Sequence, residues 1–162
     1  MLGRAAIPDT VLAEVGWVTI NFSGLEELLI RFAAALLNAD DQEPAMEVIT
    51  RMGFREKIDT LRRLFIRRCA ETRLDYVQQM NDTLSACQSA GAHRNDLVHG
   101  LAEYTDGAAW LARPGKKPLP ITLDEINRIN REIFDAQNAL LSVVTPFWNA
   151  TKGHFSSSAG TR

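Results

Sequence analysis

An arginine, four intervening residues and a histidine dominate the segment His93-Arg94-Asn95-Asp96-Leu97-Val98-His99-Gly100. Arginine supplies a permanent cation for phosphate oxygens, and histidine a ring that takes and gives protons near neutral pH. On a helix, five positions amount to about 7.5 Å of rise and roughly 140° of rotation, so the two side chains do not share a stripe, although an arginine is long enough to close the gap. Asn95 precedes His99 by one helical turn and shares its face, where an amide could hold the imidazole in one tautomer and orientation. A base, a fixed cation and an aiming group are the parts needed to cut RNA without a metal. The base takes the proton of the ribose 2′-hydroxyl, and the guanidinium neutralises charge as that oxygen attacks the neighbouring phosphate. Such cleavage leaves a cyclic phosphate on the upstream fragment. The plainer alternative for His99 is a cationic side chain favoured at a helix C-terminus.

Other chemistries have no support. There is no glycine-rich phosphate loop after a strand, no paired-histidine metal helix and no glycine-flanked nucleophilic serine, and no cofactor is expected. Cys69 and Cys87 lie in helical patterns with no second Cys or His at metal-ligand spacing, so they are expected to be buried free thiols, with no metal site. A net charge of -2 argues against wholesale nucleic-acid coating. A basic stripe nonetheless crowds the region from Arg51 to Arg73, with Arg62, Arg63, Arg67 and Arg68 at its centre, and these four are candidate RNA-binding residues. Solvation or pairing within the chain explains such a stripe equally well. Glu26 and Glu27 fit a solvated face or partners for the basic helix better than an acid–base pair, and His93 faces away from Arg94. Trp17, Trp110 and Trp148 fit core or dimer contacts better than base-stacking platforms.

The elements that must position these residues read as helices. Apolar positions recur at helical spacing from Pro8-Asp9 to about Asn38, then through a short helix from Ala45 to Met52, interrupted by Gly53. Phe54, Ile58, Leu61, Leu64 or Phe65, and Cys69 line a third helix with the basic stripe outward. A fourth segment from about Thr72 carries Leu74, Val77, Met80, Leu84 and Cys87 inward and stops at Gly100. Periodicity then disappears, and Thr105-Asp106-Gly107 reads as a hairpin turn, followed by an exposed loop from Pro114 to Pro118. Thr122-Leu123-Asp124-Glu125 is a capping box opening a last helix that runs to about Pro146. The expectation is an all-α domain over 1–150, a bundle of four to five helices with a short hairpin-like insertion before the last, and a flexible C-terminal tail over 151–162. No membrane span or signal peptide is evident, so a cytoplasmic protein is expected.

With Arg94-Asn95, three residues and His99 closing a helix before a hairpin and a final helix, the chain resembles the HEPN superfamily over about Asp9 to Phe147. These small helical bundles occur in prokaryotic toxins, antiviral effectors and RNA-processing factors. The resemblance implies a homodimer with a composite cleft, catalytic Arg94 and His99, a supporting Asn95, an RNA substrate and a regulatory or antitoxin partner. Members restrained by a nucleotidyltransferase antitoxin often carry a Tyr two residues after the His. Here that position is Leu101, and Tyr104 is displaced into the hairpin. Three functions are therefore weighed. A metal-independent endoribonuclease of the toxin or phage-defence kind leads, a noncatalytic dimeric module binding nucleic acid or a partner protein follows, and a nucleotide-binding regulatory domain comes third.

Overall fold

The computed structural model describes residues 8–37, 41–69, 74–105, 108–112, 115 and 117–155. Among these, five helices succeed one another: α1 (Asp9–Leu37), α2 (Glu43–Thr50), α3 (Phe54–Cys69), α4 (Leu74–His99) and α5 (Leu123–Phe155). The strands β1 (Leu101–Thr105), β2 (Ala108–Ala112) and β3 (Leu119–Pro120) form a small antiparallel sheet in the order β1-β2-β3 between α4 and α5. The architecture is the all-α bundle with a hairpin insertion that the hydrophobic spacing predicts.

Four of the five helices start against an acceptor at or near their first turn. The Pro8 carbonyl accepts from the amides of Val11 and Leu12, and the Gln42 carbonyl from Met46 one turn into α2. Gly53 opens α3 rather than bending a continuous helix: its amide donates to Glu56 Oε2 at 2.8 Å, a carboxylate three residues on that reaches back to satisfy an orphan donor. Thr122 caps α5, its Oγ1 accepting from the Glu125 amide at 3.2 Å.

The core is one continuous cluster. Val18, Phe22, Leu25 and Leu29 of α1 meet Ile58, Leu61 and Phe65 of α3, Met80, Leu84 and Cys87 of α4, and Ile126, Ile129, Ile133 and Leu140 of α5. Contacts fix the helix directions. Lys57 reaches Glu26 and Arg68 reaches Leu36, so α1 and α3 run the same way. Asn21 bonds Asn130, and Arg31 and Phe32 line one hollow with Val144 and Trp148, so α5 runs with them. His93 meets Glu132 while Tyr76 lies against Phe147, so α4 runs the opposite way. The end of α4 thereby meets the beginnings of α3 and α5.

Two expectations change. The last helix does not stop at Pro146 but continues to Phe155, taking in the first five residues of the expected tail, while 156–162 lie outside the described residues. An interior proline costs about 3 kcal/mol. Here Val143 and Val144 before it and Phe147 after it are all buried, and Phe147 packs on Phe65 with ring centroids 4.7 Å apart, so tertiary burial on both sides outweighs the lost backbone bond. The second change is β3, which follows directly on the expected loop from Pro114 to Pro118 and had no strand assigned to it. Its two residues pair with Trp110 and Leu111, too short a run to leave a periodic signal. The expected turn residues Asp106 and Gly107 lie outside the described residues, but the register Thr105↔Ala108 joins the strands on either side of them.

At Gly91 a β-carbon would sit 2.4 Å from Phe54 Cε1. Alanine gains up to about 1 kcal/mol of helix propensity over glycine, but overpacking a filled site costs about 1–3 kcal/mol, so sterics decide. Gly91→Ala is expected to lower stability in urea denaturation, and adding Phe54→Leu to recover part of the loss. Burial also pushes the Cys87 thiol from 9.0 up to about 12. The folded protein keeps a proton that the unfolded chain releases, so this contribution is complete below about pH 9 and lost as pH rises toward 12. Urea midpoints should therefore fall more steeply between pH 8 and 10 in wild type than in Cys87→Ala.

Candidate functional site

Arg94 occupies an inward register of α4. Met80, Leu84, Cys87 and Gly91 face the core at steps of four, three and four, and three residues further the same stripe delivers Arg94. A cation in that place needs a receptive neighbour, and α1 provides one. The guanidinium carbon lies 4.9 Å from the centroid of the Phe22 ring, a cation–π contact worth about 1–2 kcal/mol when partly desolvated. Phe22 is itself backed by Phe54, centroid to centroid 4.6 Å. Arg94 Nη1 donates to Asn95 Oδ1 at 3.0 Å, and Arg94 Nε is buried with no hydrogen-bond partner among the described residues.

His99, the last residue of α4, is exposed. The Gly100 amide closes the helix on Asp96 O at 3.1 Å, and a β-carbon at Gly100 would press on Asp96 O and Leu111, so a glycine lets the chain turn into β1 against β2. Asn95 makes a contact that its spacing does not suggest. Its amide oxygen holds the Arg94 guanidinium, and no hydrogen bond joins it to His99 among the described residues. A charged donor on the adjacent residue is the stronger partner for that oxygen.

Behind the motif lies a polar cluster that the sequence did not single out. His93 Nδ1 sits 2.6 Å from Glu132 Oε2, tying α4 to α5. The other Glu132 oxygen accepts from Arg128 Nη1, whose Nη2 donates to Glu125 Oε1 at 2.5 Å. Hydrogen bonding to Glu125, with the charge of Glu132 adding to it, raises the Arg128 guanidinium above its ordinary value. The signal was present in the sequence as Glu125, Arg128 and Glu132, acids and a base at i,i+3 and i,i+4 spacing. Only the cross-helix partner His93 required the fold.

The basic stripe is largely occupied with local bonds. Arg62 pairs with Asp59 at 2.9 Å, Arg63 donates to Thr60 Oγ1 at 3.5 Å, and Arg68 donates twice to Leu36 O, at 3.3 and 2.9 Å, where α1 ends. Arg67 is exposed, and with Arg68 it borders an open hollow lined also by Leu36, Leu37 and Leu64. Glu26 pairs with Lys57, which is buried to 3% exposure and donates to Glu26 Oε1 and Met52 O, both at 2.7 Å. Glu27 pairs with Arg31 on the surface of α1. Cys69 and Cys87 are buried and form no disulfide, and no cluster of three metal-ligating side chains occurs among the described residues. Trp17 stands on the surface rather than in the core.

No protein-family model, curated protein or solved structure matches the chain. No helix among the described residues is long and apolar enough to cross a membrane.

The His93–Glu132 contact is half-exposed on both sides, so screening keeps it modest. A double-mutant cycle with His93→Ala and Glu132→Gln, read by urea denaturation, is expected to give a coupling of about 0.5–1 kcal/mol. A coupling of zero would mean that α4 and α5 are held by apolar burial alone at this level.

Proposed function

We propose that the protein is a metal-independent endoribonuclease working as a homodimer, with Arg94 and His99 of each copy contributing to one composite site, and that it serves as an effector of the toxin or phage-defence kind restrained by a partner. The observation that carries this reading is the unequal treatment of the two residues. Arg94 is seated on Phe22 with its Nε buried, and its Nη1 donates to the exposed Asn95, which fixes the cation in place. His99 is exposed and makes no hydrogen bond among the described residues, as suits a ring that must meet a substrate. Exposed Val98 beside it leaves apolar surface at the same helix end, where a second copy would complete the cleft.

In this mechanism His99 takes the 2′-hydroxyl proton and the new alkoxide attacks the adjacent phosphorus. The bond to the 5′-oxygen breaks, that oxygen collects a proton, and a 2′,3′-cyclic phosphate remains. Arg94 neutralises charge on the phosphate oxygens as the fifth bond forms. Restraint of Arg94 by Phe22 and Asn95 lowers the cost of reorganising it at that moment.

The seating of Arg94 also favours a second reading, a noncatalytic dimeric module for nucleic acid or a partner protein, in which the guanidinium mainly packs α4 on α1. Cleavage of a mixed RNA panel in chelator separates the two. The nuclease reading expects wild type to cut and leave cyclic phosphate ends, with His99→Ala lowering the rate about 10²–10⁴-fold while stability changes by less than about 0.5 kcal/mol. Arg94→Ala should also abolish cutting while the circular dichroism spectrum stays helical, and light scattering should report a dimer. RNA bound but uncut by wild type would establish the module instead.

A further inference from the structure

Between α1 and α5, an open depression of about 410 Å³ is lined by Asn21 of α1 and by Asn127, Asn130, Arg131 and Phe134 of α5. Its size falls within the roughly 300–1,000 Å³ usual for small-molecule sites. We infer that this depression is a subsite for an unpaired nucleobase of a single-stranded RNA, with Phe134 as the stacking surface, the asparagines as readers of the base edge and Arg131 as the phosphate contact. This inference rests on the ribonuclease reading for its choice of ligand and on the lining for its chemistry.

The lining is suited to a base in three respects. Phe134 is 57% exposed, an aromatic ring left open where the bundle had no need of it, and an open ring is what an unstacked base covers. Asn21 Nδ2 donates to Asn130 Oδ1 at 2.6 Å, a bond that consumes one donor and one acceptor and leaves the pair presenting the Asn130 amino group and the Asn21 carbonyl oxygen. Gln137 donates to Asn21 O at 2.6 Å and so fixes the backbone from which Asn21 projects. A donor beside an acceptor matches the edge of a nucleobase, and Asn127 adds a third, exposed carboxamide. Arg131 is exposed and has no ion pair among the described residues, unlike Arg128 one turn earlier, which is claimed by Glu125 and Glu132.

Placement links the depression to the proposed catalytic end. Asn21 faces it while the next residue, Phe22, carries the Arg94 guanidinium. Arg131 faces it while the next residue, Glu132, holds His93. Adjacent residues on each of two helices therefore serve the depression on one side and the Arg94 and His93 contacts on the other, about 100° apart around each helix. An apolar partner seated here would strip water from three carboxamides and a guanidinium without replacing their hydrogen bonds, whereas a base and its phosphate answer each of them.

The test measures fluorescence anisotropy of a labelled eight-nucleotide single-stranded RNA of mixed sequence, in chelator, with a 2′-O-methyl backbone that cannot be cut, against the same strand carrying abasic sites. Wild type should bind the base-bearing strand about tenfold more tightly than the abasic one, and Phe134→Ala should remove most of that difference. Arg131→Gln should weaken both strands and reduce the salt slope by about one. The inference is overturned if Phe134→Ala binds both strands as wild type does, or if it changes the oligomeric state in light scattering and leaves strand affinity unaltered, which would make the face an interface between copies. Cleavage of unmodified RNA by wild type, followed in parallel, reports on the nuclease reading separately. A protein that discriminates bases but never cuts retains the subsite and loses the nuclease, and one that cuts while Phe134→Ala binds and cuts identically does the reverse.

Discussion

A cation placed in the inward register of a long helix is the constraint around which the rest of the structure is arranged. The stripe that buries Met80, Leu84 and Cys87 does not stop when the core does, and it delivers a guanidinium to a place where its neighbours would otherwise be aliphatic. Burying charge without compensation is costly. The Phe22 ring supplies the electrostatic face, Phe54 backs that ring, and Gly91 gives up its side chain so that Phe54 can reach its place. Three residues on three helices therefore serve one side chain.

The hydrophobic spacing made the helices and their core faces legible, since period 3.6 depends only on which residues are apolar. The site was legible in part. Arg94 and His99 carry their chemistry in their identities, and the exposure of His99 is consistent with its place at a helix end. Asn95 could be assigned to the right neighbourhood but not to the right partner, because spacing reports which side chains share a face and not which of two nearby groups wins a hydrogen bond. The contacts of Phe22, Glu132 and Asn130 were illegible for a different reason: each is made across a helix pair, and pairwise packing is not written in any local period.

The passage of α5 through Pro146 follows the same logic from the opposite direction. A local rule gave a stop, and burial of Val143, Val144 and Phe147 overruled it. The basic stripe of α3 shows the converse. A surface that reads as an electrostatic footprint is divided among short-range partners, with Arg68 serving as a cap for the end of α1 rather than as free charge.

The parallel pairing of α1 with α5 has a consequence in time as well as in space. The bonds from Asn21 to Asn130 and from Gln137 to Asn21 O join residues 109 and 116 positions apart, and contacts of such separation are closed late because the loop entropy comes due before the contact rewards it. A chain emerging from the ribosome at about 5–20 residues per second holds α1 through α4 for several seconds before α5 is available. During that interval His93 has no Glu132 and the face beside Asn21 has only one wall. The base subsite proposed beside Asn21 would thus be withheld from the nascent chain until α5 docks, a delay set by topology rather than by any inhibitor.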